Sequence, residues 1–279
     1  MNKKIAEEIK VGKLTFGKNR PLGFILGPCV IESYDQLLDV ASYLKNFLPY
    51  PFVLKGSFDK ANRSSISSFR GVGIEKGLKY LEKIKKDLDI AVTTDIHLPE
   101  HAEIVASVCD LIQIPAFLAR QTDLVVNAAK TMLPIHVKKG QFMSPYDMEH
   151  VANKILHCGN SQIMFTERGT TFGYKNLVND FRSFPIMQKY CSATCYDITH
   201  SGQLPGQGEE SGGERAFMEK LAKAAVATGA DILFLETHKN PKEAKSDKAT
   251  QWPLDQTIPL LKKLYELRMY LLEERTVNV

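Results

Sequence analysis

The chain has 279 residues, 44% of them apolar and 24% charged, with a formal net charge of +4 from 36 basic and 32 acidic side chains. That length suits one (β/α)8 domain of about 250 residues or two smaller domains, and the mild charge makes no case for nucleic acid or an anionic membrane as partner. The five scattered cysteines suggest no disulfide framework, no apolar run approaches the roughly 20 residues of a membrane helix, and the charged N-terminus lacks a secretory apolar stretch, so a reducing cytoplasm is expected.

Residues 1–20, with KVGKLTFG, read as a short N-terminal hairpin outside the main body. Eight short apolar runs follow: FILGPC, FVLKG, AVTTD, LIQIPA, IHVKK, IMFTER, CYDITH and ILFLETH. Each is strand-like, and helical patterns separate them. Ser33-Tyr-Asp-Gln36 is a capping box that opens a helix ending near Phe47. Ile74, Leu78, Leu81, Ile84 and Leu88 recur at helical spacing, with Lys79, Lys83, Lys85 and Lys86 as a solvated face. Ser144-Pro145 caps another helix. Ser211 to Glu214 is a second capping box, before a helix carrying Phe217, Leu221 and Ala225, and Gly229 stands where a left-handed terminator belongs. A last helix spans Leu254 to Leu272, leaving 273–279 as a frayed tail. The βαβα alternation, without linker or repeat, predicts an α/β fold: a single (β/α)8 TIM barrel forming one catalytic domain over 1–279.

Groups able to do chemistry end these runs: Cys29, Lys55, Asp95, Gln113, Lys138, Arg168, His200 and Glu236. In a closed parallel barrel all C-terminal strand ends meet at one face, where such enzymes carry their active sites. Long polar loops follow the second, seventh and eighth runs, as expected of functional loops. Lys55, Lys60, Arg63, Lys138 and Arg168 would repel one another at one mouth unless a ligand of several negative charges met them. Ser64 and Ser65 accompany Arg63. A phosphorylated or carboxylated substrate fits that need. The structural alternative pairs some of these cations with Asp59, Asp95 or Glu167. Arg120, at a helix start, suits an exposed role or a reach into a neighbouring subunit.

Cys29, His200 and Glu236 end the first, seventh and eighth runs, which are neighbours in a closed barrel, and Asp247 is placed to fold back from the last loop. A thiolate, an imidazole and two carboxylates form a divalent-metal set. The alternative makes Cys29 a small buried hydrophobe and His200 a lone general base. His97 and His101 are set aside as a metal pair because Pro99 interrupts them, as are Cys191 and Cys195 at a helix-to-strand junction.

The segments LKGSFDKANRSS, TTDIH, IQIPAFLARQTDL, VKKGQF, ERGTTFGY, DITHS, SGGERAF and ETH closely resemble the 3-deoxy-D-manno-octulosonate 8-phosphate synthase family, from Phe24 to Leu254. KANRSS is the specific mark, since related enzymes making the seven-carbon aromatic precursor carry a KPRTS-like stretch. The resemblance implies a homotetrameric barrel that condenses phosphoenolpyruvate with arabinose 5-phosphate, releases phosphate and feeds lipopolysaccharide synthesis. It implies that Lys55, Ser57, Lys60, Gln113, Ala116, Lys138 and Arg168 hold phosphoenolpyruvate. It implies too that Asn62, Arg63 and Ser64 hold the pentose phosphate, that Arg120 enters from an adjacent subunit, and that Asp95 contacts the sugar or the reacting centre. Lys60, Asp95, Lys138 and His200 are the expected catalytic groups.

Cys29 and Gly140 resemble the metal-dependent branch of the family, the other branch having asparagine for the cysteine and KKPQF. Cys29, His200, Glu236 and Asp247 then match its four ligands, for Zn²⁺ or Fe²⁺ first and Mn²⁺ or Cd²⁺ as alternatives. His136, Lys248 and Trp252 depart from the family pattern. The competing functions are a phosphoenolpyruvate-dependent synthase using another aldose, such as erythrose 4-phosphate, and a non-catalytic phosphosugar-binding barrel.

Overall fold

The computed structural model describes residues 4–63, 65–204 and 212–277. Eight parallel strands follow in chain order: β1 Gly23–Gly27, β2 Phe52–Lys55, β3 Ala91–Asp95, β4 Leu111–Ile114, β5 Ile135–Lys138, β6 Ile163–Glu167, β7 Ala193–Asp197 and β8 Ile232–His238. Each pairs with the next, and β8 also pairs with β1, so the sheet closes into the expected barrel. Nearly every strand residue is buried, because side chains fill the interior and helices cover the outside. The runs are therefore continuously apolar instead of alternating.

The helices are α1 Tyr34–Phe47, α2 Ile74–Leu88, α3 His101–Ala106, α4 Thr122–Lys130, α5 Met148–His157, α6 Ser183–Met187, α7 Arg215–Ala227 and α8 Leu254–Val277. The Ser33 hydroxyl accepts the Gln36 amide at the start of α1, and Ser144 and Asp147 form a capping box ahead of α5.

Three elements differ from the sequence reading. Helix α7 begins at Arg215 with Glu214 as its cap residue and no side-chain capping bond, while Ser211 lies outside the described residues. Its buried stripe is Met218, Ala222, Ala225 and Val226, and Phe217 is 49% exposed. Helix α8 runs past Leu272 to Val277, supported by the Tyr270 hydroxyl on the Glu274 carboxylate at 2.8 Å, one helical turn on.

The N-terminal hairpin, Glu8–Val11 paired with Leu14–Gly17, does not lie apart from the barrel. Ile9, Val11 and Phe16 join Ile25, Val53, Leu111, Met164 and Ile232 in one inner apolar cluster, plugging the N-terminal end. Gly23 is required there, since a Cβ would stand 2.4 Å from the Phe16 ring. At the opposite end of β1, a Cβ on Gly27 would stand 1.9 Å from the Lys55 carbonyl oxygen. The absence of a side chain lets the ends of β1 and β2 close together at the functional face.

His136 projects into the barrel from β5, fully buried, with Nε2 on the Thr166 hydroxyl and Nδ1 without a partner. Burial, then the Lys138 charge, pushes its pKa down to about 3, against a smaller opposing pull from Asp197. Because the folded value lies below the unfolded one near 6.5, the unfolded chain takes up this proton first as pH falls. Stability from this residue is complete above about pH 6.5 and is lost progressively below it. His136→Asn removes that liability, so urea unfolding should show about 2 kcal/mol less acid destabilisation between pH 8 and pH 5 than in the wild type. Equal losses in the two proteins would disprove the assignment.

Candidate active site

The C-terminal ends of the strands surround a cavity of about 180 Å³. It is lined by Cys29, Lys55, Ser57, Lys60, Asn62, Asp95, Gln113, Ala116, Lys138, Arg168, His200 and Glu236, so most of the residues singled out in the sequence converge there. Lys55, Lys138 and Arg168 are only 3–5% exposed.

The carboxylates that meet the cations are not Asp59, Asp95 or Glu167. Lys55 Nζ lies 2.9 Å from Glu236 Oε1 and donates to the Cys29 carbonyl at 2.6 Å. Lys60 contacts Asp247 Oδ2 closely and sits 3.2 Å from Cys29 Sγ. Lys138 Nζ is 2.6 Å from Asp197 Oδ2 and 3.5 Å from the Phe234 ring centroid, a cation–π contact on the barrel floor. Arg168 donates to the Gln203 side chain at 2.9 Å. Asp59 instead pairs with Arg70.

Asp95 accepts from Ser57 on one oxygen and meets His97 Nε2 at 2.8 Å on the other. Burial favours its neutral acid, but the hydrogen bond and charge of His97 and the charge of Lys55 outweigh burial and hold the carboxyl well below the usual range. His97 thus lines the cavity, although the sequence reading set it aside as a metal pair with His101.

Sulfur and carboxylate oxygens of Cys29, Glu236 and Asp247 lie within 4.8 Å of one another, a group able to hold a metal ion. His200 Nε2 stands 3.9 Å from Glu236 Oε2 and 3.7 Å from Asp247 Oδ2. Its Nδ1 is tied to Asp197 at 2.8 Å, which turns the other nitrogen toward the carboxylates, as in carboxylate–histidine–metal arrangements. Glu236 Oε2 is buried with no hydrogen-bond partner, an acceptor that a cation would satisfy. Burial, with the charges of Asp247 and Glu236, pushes the Cys29 thiol well up, so the thiolate needs a bound cation to form. One thiol, one imidazole and two carboxylates suit a borderline-soft divalent ion.

Local sequence explains these placements. Asp197 ends β7 and caps the single turn Ile198–Ser201, accepting the His200 amide at 2.9 Å. Asp247 adopts a left-handed backbone at φ +46°, and Gln251, 1% exposed, bridges its loop to the first strand. The Gln251 side chain accepts from the Cys29 amide at 3.3 Å and donates to the Ser246 carbonyl at 2.9 Å.

Not every expected residue enters the cavity. Arg63 sits at the rim, donating to the Lys245 carbonyl at 3.1 Å. Arg120 is exposed and does not line this chain's cavity. Ser64 lies outside the described residues. Sequence reasoning missed Asp197, Phe234, Gln251 and Gln141. Asp197 alone had a readable signal, as a strand-end carboxylate three residues before His200.

A family model described as the DAHP synthetase I family matches residues 3–273. A "2-dehydro-3-deoxyphosphooctonate aldolase" of Protochlamydia amoebophila is 52% identical over 266 residues, covering 93% of this chain and 97% of the relative. Proteins of the same description from Geobacter metallireducens and Francisella tularensis subsp. holarctica are 50% identical over 264 residues and 49% over 263, covering 93% of this chain in both cases and 97% and 96% of the relatives.

Asp197 supports two buried nitrogens, so its removal strands both. Asp197→Ala should lower unfolding stability in urea by about 3–5 kcal/mol by leaving the Lys138 ammonium unpaired. A loss under about 1 kcal/mol would show that Lys138 does not depend on this carboxylate.

Proposed function

Because this chain belongs to the DAHP synthetase I family and matches octonate aldolases over nearly its full length, we propose that the barrel-mouth cavity joins phosphoenolpyruvate to arabinose 5-phosphate. The protein is an enzyme of 3-deoxy-8-phosphooctulonate synthesis, feeding lipopolysaccharide formation. C3 of the enol phosphate bonds to the aldehyde carbon, water adds at C2, and inorganic phosphate leaves by C–O cleavage. The observation that carries this reading is the convergence of Lys55, Lys60, Lys138 and Arg168 on one cavity in a chain with that relationship. Two polyanions resist approach through Coulomb repulsion, and the cations offset it while holding reacting carbons at attack distance.

On this reading Lys55, Ser57, Gln113, Ala116, Lys138 and Arg168 bind phosphoenolpyruvate, with Lys138 and Arg168 gripping the departing phosphate. Lys60 polarises the aldehyde oxygen and protonates the alkoxide formed there. Asp95, hydrogen-bonded to His97, orients the sugar or the reacting centre. Asn62, Arg63 and Ser64 take the pentose phosphate, and Arg120 reaches into an adjacent protomer of a homotetramer. No described helix is long and apolar enough to cross a membrane, and we assign the enzyme to the cytoplasm.

We place the enzyme in the metal-dependent branch. Cys29, His200, Glu236 and Asp247 would hold Zn²⁺ or Fe²⁺, with Mn²⁺ or Cd²⁺ as substitutes. The partnerless Glu236 oxygen and the orientation of His200 support this choice. A bound ion supplies Lewis acidity and a water acidified toward neutral pH. His200, held by Asp197, keeps Nε2 directed at that position.

Phosphate release measured with each aldose tests the substrate. Arabinose 5-phosphate should exceed erythrose 4-phosphate by roughly 10²-fold or more in kcat/KM, and parity or reversal would overturn the assignment. Chelation should abolish turnover, with partial recovery on adding Zn²⁺, Fe²⁺, Mn²⁺ or Cd²⁺. Full activity in a preparation shown metal-free by elemental analysis would rule out the metal-dependent branch.

A further inference from the structure

Lys139 and Glu167 follow and precede the two phosphate-gripping residues of the proposed site, yet they face the other way. Strand alternation turns Lys138 and Arg168 into the cavity and their neighbours out among the buried side chains beneath the helices. Both partners are 1% exposed, with Lys139 Nζ 3.5 Å from Glu167 Oε2. A buried ion pair of this kind contributes little net stability, since desolvation cancels most of the attraction and apolar residues would serve as well.

Each partner also holds the turn beyond its own strand. Lys139 Nζ donates to the Met143 carbonyl at 3.3 Å. Glu167 Oε1 accepts the Gly169 amide at 2.6 Å, where the backbone turns through φ +94°. The two turns meet again above the pair, where the Thr171 amide donates to the Gln141 carbonyl at 3.1 Å. Gln141 lines the cavity, and its buried Oε1 has no partner. The ends of β5 and β6 and their loops are therefore laced twice. The last register pair, Lys138 with Thr166, lies directly below the lacing.

We propose that the Lys139–Glu167 pair is a positioning device that sets the spacing of Lys138 and Arg168, and so shapes the phosphate end of the phosphoenolpyruvate site. This rests on the reading that Lys138 and Arg168 grip that phosphate. The pair touches no substrate.

The test compares Lys139→Met/Glu167→Leu, which replaces the pair by apolar residues, with Arg168→Lys and wild type. The double variant should keep its circular dichroism spectrum and a cooperative thermal transition. Its KM for phosphoenolpyruvate should rise about tenfold or more, with KM for arabinose 5-phosphate within about twofold. A purely structural role predicts unchanged KM values for both substrates, and that result would overturn the inference. Should the double variant fail to fold, Glu167→Gln, which keeps an acceptor for Gly169, must show the same selective rise or the inference falls. If Arg168→Lys itself leaves KM for phosphoenolpyruvate at the wild-type value, the reading of Arg168 and the inference fall together. If Arg168→Lys raises that KM while the pair variants do not, only the inference is lost.

Discussion

Positive charge held out of water is the constraint on which the barrel mouth depends. Two lysines are buried there and a third is half-buried, and each has a carboxylate from a different part of the chain: Lys55 with Glu236, Lys60 with Asp247 and Lys138 with Asp197. Burial alone would favour the neutral amines of Lys55 and Lys60, but the facing carboxylates reverse that and keep both protonated. The pairs cross β8 to β2, the last loop to the second loop, and β7 to β5. Each pair therefore skips one strand and ties next-nearest neighbours together at the C-terminal end of the sheet. A network of this kind does little for stability, and its value lies in holding charges where an anionic ligand is to arrive.

The same carboxylates serve two kinds of partner. Asp197 braces both the Lys138 ammonium and the imidazole that faces the thiol and carboxylates. Glu236 gives one oxygen to Lys55 and leaves the other without a hydrogen bond. The residues proposed to bind anion and those proposed to ligate metal are thus coupled through shared oxygens. A change at one group alters the electrostatics of the other, so the variants of this site will not behave additively.

Much of this was legible in the sequence because strand-end position carries the information. Once the eight runs are recognised, alternation and closure send Lys55, Asp95, Gln113, Lys138 and Glu236 to one face without any knowledge of contacts. Which acid meets which base was not legible. Asp59, Asp95 and Glu167 are the acids the strand ends suggest, yet the actual partners lie 59 to 187 positions away for Lys138 and Lys60. Gln251 was equally hidden, since nothing local marks a loop glutamine that reaches back to the amide of Cys29. The hairpin was recognised but misplaced. Its apolar residues are too few to signal that they belong inside a barrel, where Phe16 meets the bare face of Gly23. The end of α8 was set short because a charged tail lacks the apolar period that marks a helix, while a Tyr–Glu contact one turn apart sustains it.

The hairpin plug also governs traffic. With Ile9, Val11 and Phe16 packed among the inner strand residues, the barrel's N-terminal end is stoppered by its own hairpin. On the proposed assignment the cations for the enol phosphate sit at the bottom of the cavity, and Asn62 and Arg63 stand nearer the lip. Both reactants would then come and go through the face at the C-terminal strand ends.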